Sequence, residues 1–328
     1  MKLFLYCFRE YDEKPYYDAL QAATPGLSYG FSPLYPSVDN AELCRGYDAV
    51  STTVTPFDRP LLTALRDAGI RALLARSIGV DHIDLEAARE LGLHVAHVSY
   101  PPESVADYAI MLMLMSLRRM RQTLERAAVQ DYTLRGKIGR DLCESTVGLI
   151  GTGRIGAAAA RHLSAFGCRI LAFDPHEDPS LSGICTYTDL DTLLAESDIV
   201  SLHIPATAET HHLICQDTLH RMKPGSILVN TARGSLVDTE ALIAALEEGR
   251  LSGAALDVME HEAGLYYQSR VGEPLCNPLM DRLRAQPSVI LTPHTAFYTE
   301  RVVRSMAEQV VSCLCDLDAG RSNPLILF

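Results

Sequence analysis

An arginine, a carboxylate and a histidine, each a short way past an apolar run, form a set that can reduce an α-oxo acid. Arg233 follows Ser226–Thr231, Glu262 comes five residues after Asp257, and His294 follows Val289-Ile-Leu-Thr-Pro293. A guanidinium grips a carboxylate bidentately. A charged imidazole gives a proton to a carbonyl oxygen as hydride arrives, and a carboxylate orients and charges that imidazole. Glu260 lies two residues before Glu262, and spacing does not choose between them. The bland alternative for Arg233 is a surface ion pair. The other ten of the eleven histidines, His82, His94 and His97 among them, read as polar surface or satisfied core residues.

Hydride needs a carrier, and Val147-Gly-Leu-Ile-Gly-Thr-Gly-Arg-Ile-Gly156 can hold one. A β-branched run enters a G-x-G-x-x-G turn, and an Ala-rich helix leaves it. Gly151 permits the tight turn, Gly153 lets backbone approach a pyrophosphate, and Gly156 lets the helix pack on its strand. The phosphates would sit at the helix N-terminus. A second run, Arg169–Phe173, ends at Asp174, where a carboxylate would accept adenosine ribose hydroxyls and repel a 2′-phosphate. The cofactor expected is therefore NAD.

Two alternations of strand-like and helix-like runs must position these groups. In the first hundred residues, Leu3–Phe8, Ala49–Thr53, Ala72–Arg76 and His94–Val98 read as strands, with helices near Tyr16–Ala23, Asp58–Ala68 and Leu85–Leu91. After the extended link Ser99-Tyr-Pro-Pro102, Glu103–Met120 reads as one long helix with Met and Leu packed inward. Asp131–Asp141 is polar and irregular, an arm for a second subunit or a surface loop. Strands then follow at Thr146–Ile150, Arg169–Phe173, Ile199–Ile204, Ser226–Thr231, Ala254–Val258 and Val289–Thr292, with helices near Ile155–Phe166, Asp189–Glu196 and Asp238–Glu248. This pattern implies α/β architecture with two doubly wound parallel sheets, whose ligands lie beyond the carboxyl ends of the strands. Thr299–Asp318, one more helix, is expected to return to the first half, and the cleft between the halves is the expected site.

Nearly the full chain resembles the D-2-hydroxyacid dehydrogenase family. The resemblance is carried by Ser77-Ile-Gly-Val-Asp-His-Ile-Asp84, Gly151–Gly156, Asn230-Thr-Ala-Arg-Gly234, Ala254-Ala-Leu-Asp-Val-Met-Glu-His-Glu262 and Thr292-Pro-His-Thr-Ala-Phe-Tyr298. Within it the chain is most similar to the D-lactate dehydrogenases. Ser104-Val-Ala-Asp-Tyr108 and Met111-Leu-Met-Leu-Met115 resemble the branch linked to vancomycin resistance. The resemblance implies a Rossmann-type dinucleotide-binding domain (100–297) inserted into a discontinuous, flavodoxin-like substrate domain (1–99 and 298–328). It implies that Arg233 binds substrate, that His294 is the acid/base and that Glu262 is its partner. It also implies that Gly79 and Val80 offer N–H groups to the substrate carboxylate, and that Tyr100 and Phe297 wall its side chain. Arg154, Ile155, Asp174, Ile204, Pro205, Thr210, Thr231, Ala232, Arg233 and Asp257 fall at cofactor-contact positions. NADH-dependent reduction of pyruvate or a similar short 2-oxo acid follows, and the resemblance implies a homodimer of two such chains. The alternatives are a branch acting on hydroxypyruvate or a branched or aromatic 2-oxo acid, and an NAD-sensing corepressor-like binding protein. A phosphorylated substrate would want extra cations, and Arg76 is the obvious candidate.

Bulk composition agrees with a cytoplasmic enzyme of two domains. The chain has 328 residues, 48% of them apolar, and a net charge of −12. An acidic chain without a basic stripe disfavours nucleic acid as partner. Nine scattered cysteines without a C-x-x-C pair or a metal-spaced His/Cys cluster read as reduced thiols, with no metal expected. Met1–Phe8 is too briefly apolar for a signal peptide, and Ala109–Leu117 falls far short of the ~20 residues of a membrane span.

Overall fold

The computed structural model describes residues 1–262, 264–267, 269–275 and 277–328. The chain forms two compact units, Met1–Pro101 with Tyr298–Phe328, and Pro102–Phe297. In the first unit the elements run β1 (Lys2–Leu5), α1 (Lys14–Ala23), β2 (Ser28–Phe31), β3 (Ala49–Thr52), α2 (Arg59–Asp67), β4 (Ala72–Ala75), α3 (Leu85–Glu90) and β5 (His94–Ala96). The sheet is parallel, in the order β2-β1-β3-β4-β5, which is the flavodoxin-like winding. Strands β3 and β4 are buried throughout, so their sequences are continuous apolar or small-residue runs. β2, Ser-Tyr-Gly-Phe, is a half-exposed edge strand without such a run, and the sequence reading passes over it. Asp58 caps α2 by accepting from the Leu61 N–H, and Pro60 sits in its first turn.

The second unit holds α4 (Glu103–Leu117), α5 (Met120–Ala128), β6 (Thr146–Ile150), α6 (Arg154–Ser164), β7 (Arg169–Phe173), β8 (Thr186–Tyr187), α7 (Leu190–Glu196), β9 (Ile199–Leu202), α8 (Gln216–Arg221), β10 (Ile227–Asn230), α9 (Thr239–Glu247), β11 (Gly253–Leu256), α10 (Pro278–Ala285) and β12 (Val289–Leu291). Its seven strands are parallel, in the order β12-β11-β10-β9-β6-β7-β8. The winding reverses between β6 and β9, and dinucleotides bind at such a switch point. The last helix, α11 (Glu300–Asp318), packs on β4 and α1 in the first unit.

The expected long helix Glu103–Met120 ends at Leu117, and a separate helix, α5, begins at Met120. α4 stops at Leu117 because Arg119 adopts a left-handed conformation at φ +49°, and the Leu117 carbonyl accepts from the Arg140 N–H at 3.1 Å. That approach depends on Gly139, where a Cβ would lie 2.6 Å from the same carbonyl oxygen. Leu112 and Met113 are fully buried, but Met111 faces outward, 39% exposed. Beyond α5 the stretch 131–141 has no helix or strand.

Candidate active site

The glycine turn after β6 meets each requirement of a phosphate cradle for a separate steric reason. Gly151 has φ +97°, and a Cβ there would lie 2.6 Å from the His203 carbonyl oxygen. At Gly156 a Cβ would meet the Gly151 carbonyl oxygen at 2.0 Å, so only glycine lets α6 pack this closely on its turn. Gly153 caps α6, and a Cβ there would meet nothing within 4 Å; that open space leaves backbone N–H groups accessible to an anion. The Asp174 carboxylate, at the end of β7, accepts from the Thr152 N–H at 2.7 Å and the His176 N–H at 2.8 Å. It is thereby fixed beside the glycine turn. Arg154 is exposed and Ile155 half-buried in the first turn of α6.

The loop after β9 closes on the same turn. A Cβ on Gly151 would also touch the Ile204 side chain at 2.7 Å. Thr210 donates its hydroxyl to the Pro205 carbonyl at 2.8 Å, tightening the segment 205–210. His203 precedes this segment, its Nε2 3.0 Å from the Ser201 hydroxyl, and burial pushes its imidazole down to about 4. It is neutral at ordinary pH and has a packing role. After β10, Asn230 folds its own turn: its side-chain oxygen accepts from the Ala232 N–H, and its side-chain amide donates to the Arg233 carbonyl. The Thr231 hydroxyl is buried, with no hydrogen-bond partner among the described residues. A polar group so placed favours a ligand that can pair with it. These residues fit a dinucleotide.

His294 is set by a latch that spacing alone does not reveal. Asp257, fully buried at the end of β11, accepts from the Thr292 hydroxyl at 2.6 Å, the Thr295 N–H at 2.9 Å and the Ala296 N–H at 2.8 Å. Its backbone carbonyl accepts from the His294 N–H. Both carboxylate oxygens of Asp257 therefore hold the loop 292–296, in which His294 takes φ +54°. Glu262 lies 2.5 Å from His294 Nδ1, and its other oxygen accepts from the Met259 N–H at 2.9 Å. With Nδ1 so engaged, Nε2 is the nitrogen left to face a substrate oxygen.

Glu260, the alternative that spacing left open, goes elsewhere, to His212 Nε2 at 2.7 Å. His261, at φ +59°, turns the chain between the two carboxylates. Arg233 donates to the Ala232 carbonyl at 2.8 Å, and at Gly234 a Cβ would lie 2.1 Å from the Met259 backbone. That glycine lets the Arg233 turn lie against the segment leading to Glu262. Phe297 stands edge-on to His294, ring centroids 6.3 Å apart. Tyr267, which the sequence reading misses, donates to the His294 carbonyl at 2.9 Å with its ring 6.3 Å from the imidazole. Only its place in the Glu262-to-α10 stretch could have drawn attention to it.

The remaining named positions belong to the first unit. Gly79 and Val80 follow β4, where the Gly79 carbonyl accepts from the Ser77 hydroxyl and the Val80 carbonyl from the Ile83 N–H. Tyr100 follows β5 and is half-buried. Arg76 is buried. It pairs with Glu13 at 3.2 Å and donates to the Tyr6 and Cys7 carbonyls and the Ser51 hydroxyl. Its charge is committed inside the unit and does not serve a phosphorylated substrate.

Comparison with known proteins gives the family. Residues 110–296 match the model of the D-isomer specific 2-hydroxyacid dehydrogenase NAD binding domain. The chain is 45% identical over 280 residues, 85% of each protein, to a D-specific alpha-keto acid dehydrogenase of Enterococcus faecalis. It is 35% identical to the D-lactate dehydrogenase of Escherichia coli K12 over 99% of both chains. A solved structure described as the pyruvate reductase of Chlamydomonas reinhardtii superimposes with a TM-score of 0.90 at 33% identity, covering 99% of this chain and 98% of that one. With its cradle for NAD and its Arg, Glu and His after strand ends, the chain belongs to the D-isomer specific 2-hydroxyacid dehydrogenases.

Proposed function

We propose that this enzyme is a D-lactate dehydrogenase, using NADH to reduce pyruvate or a similarly short 2-oxo acid reversibly to the D-2-hydroxy acid. The observation that carries the reading is the His294–Glu262 pair at 2.5 Å, on a loop latched by Asp257. Reduced nicotinamide, when bound, supplies the hydride to the carbonyl carbon. The Arg233 guanidinium receives the substrate carboxylate. Protonated His294 gives its Nε2 proton to the carbonyl oxygen, and Glu262 balances the imidazolium charge until that transfer. In the oxidative direction neutral His294 takes the hydroxyl proton back.

The glycine turn, Arg154, Ile155, Asp174, Ile204, Pro205, Thr210, Thr231, Ala232 and Asp257 are assigned to the dinucleotide, Asp257 acting through the latch. Gly79 and Val80 are assigned to the substrate carboxylate, and Tyr100 and Phe297 to its side chain. In this reading residues 100–297 are the cofactor domain, and 1–99 with 298–328 the substrate domain. We also assign a homodimer. Leu124, Val129, Tyr132, Leu134 and Ile138 form a run of exposed apolar residues, from 57% to 87% exposed, that a second copy would cover. A cytoplasmic setting is supported by eight cysteines that are free among the described residues; no helix there is long and apolar enough to cross a membrane.

The test is NADH oxidation across a panel of 2-oxo acids with chiral analysis of the product. Pyruvate should lead with 2-oxobutyrate weaker, since an added methylene changes discrimination by only ~1–3 kcal/mol. Phenylpyruvate as the best substrate by kcat/KM, or an L-product, would overturn the reading.

A further inference from the structure

Glu260 and His212 form a second His–carboxylate pair that the oxo-acid chemistry does not use. Their neighbour His211 stacks on His212, ring centroids 4.0 Å apart and planes at 27°. Consecutive side chains normally diverge, but His212 is held at φ +50°, which brings both imidazoles to one side. A non-glycine residue in that region is strained, and such strain persists where the surroundings fix it. Here the His212 N–H donates to the Ser235 carbonyl at 2.9 Å and the His211 N–H to the Thr207 carbonyl at 3.0 Å. Glu260 is fixed as firmly. One oxygen accepts from the Thr239 N–H at 3.0 Å and the Thr239 hydroxyl at 2.7 Å, which leaves the other directed at His212. Burial alone would raise this carboxyl, but the hydrogen bonds from His212 and Thr239 hold it below its usual range.

One donor atom from each of His211, His212 and Glu260 lies within 4.8 Å of the others. Among the described residues no other group of three His, Cys, Asp or Glu side chains converges in this way. We infer that His211, His212 and Glu260 form a binding site for a divalent transition-metal ion of the zinc, cobalt or nickel kind. Two imidazoles and one carboxylate suit such ions and not calcium or magnesium, which take oxygen ligands. Three protein ligands leave a position for water. The Thr239 contacts serve as the outer partners that orient a ligating carboxylate. His211 is exposed and the other two are half-buried, so an ion reaches the site from solvent. On binding, the ion replaces the proton between His212 and Glu260, and rotation of the His211 ring brings its nitrogen into the coordination shell. The site ties the loop after β9 to the loop after β11 and to the start of α9. It is independent of the substrate assignment. The sequence offers no metal-spaced motif because the ligands come from loops 48 residues apart.

Cobalt(II) titrated into chelator-treated, full-length enzyme is the test, followed by visible absorption and by thermal unfolding. One equivalent per chain should bind, with ligand-field bands and without the near-ultraviolet thiolate band that binding at cysteine gives. Unfolding should shift to higher temperature, because the ion binds only the folded state. His211→Asn, at an exposed position, and Glu260→Gln, which keeps the Thr239 contacts, should each weaken binding at least about tenfold. Binding should also weaken as pH falls and the imidazoles protonate. Failure of cobalt(II) to bind, a thiolate band, or unchanged affinity in folded His211→Asn and Glu260→Gln proteins would overturn the site.

Discussion

At the scale of single residues the site separates groups that react from groups that hold. Arg233 is a planar fork at the end of a turn folded by Asn230, and an ammonium cannot reproduce its two parallel contacts to a carboxylate. Arg233→Lys should therefore lower kcat/KM for pyruvate reduction by at least about a hundredfold, although the charge is kept. Steady-state kinetics check this, and activity within a few-fold of the unmodified enzyme would remove Arg233 from the substrate. Asp174 is held by the Thr152 and His176 N–H groups with its charge beside the cradle. A charge-assisted hydrogen bond contributes about 1.5–3 kcal/mol, so Asp174→Ala should cost NADH roughly one to two orders of magnitude in kcat/KM. The same change removes repulsion toward NADPH, and the ratio of the two kcat/KM values should move toward one. Equal use of both cofactors by the unmodified enzyme would contradict the role given to Asp174.

Among the elements, the β6–α6 turn separates glycines that the fold requires from Gly153, where nothing in the fold opposes a Cβ and which we assign to the cofactor. A Cβ at Gly156 collides with a backbone oxygen that cannot move without dismantling the turn. Gly156→Ala should destabilise the protein by about 1–3 kcal/mol, the usual cost of overpacking, and abolish NADH binding. Gly153 already lies at a negative φ and faces open space. Gly153→Ala should leave the unfolding temperature within about 2 °C while NADH affinity falls about tenfold or more, because its methyl group enters the space the pyrophosphate needs. Thermal unfolding with and without NADH, and fluorescence titration of the cofactor, separate the two variants. Equal effects on stability would mean that Gly153 serves the fold.

For the whole molecule, the question is what covers the stretch from α5 to β6. Its apolar side chains stand in solvent, Leu134 at 87% and Ile138 at 82% exposed. A charge on each would be expelled from an apolar interface and cost nothing on a free surface. If the proposed homodimer uses this stretch, the double variant Leu134→Glu, Ile138→Glu should shift it to monomer by light scattering, with secondary structure unchanged. A dimer unaffected by both charges would place the interface elsewhere.

What the sequence by itself determined is the part that local physics carries. Buried parallel strands must be apolar on both faces, which made β3, β4, β9, β10 and β11 legible. A dinucleotide turn needs glycines at set intervals and a carboxylate one strand later, which made Gly151, Gly153, Gly156 and Asp174 legible from spacing alone. The edge strand β2, the two-residue β8 and the short helices α8 and α10 carry too little periodic signal to stand out; β2 and β8 are defined by their pairing with β1 and β7. The end of α4 depends on Gly139 meeting a carbonyl from a remote turn. The choice between Glu260 and Glu262 is likewise tertiary: the two lie two residues apart on one loop, with the left-handed His261 between them, and one reaches His212 while the other reaches His294. The Asp257 latch and the His211–His212–Glu260 cluster likewise join loops distant in sequence, which hydrogen-bond geometry selects and residue type does not.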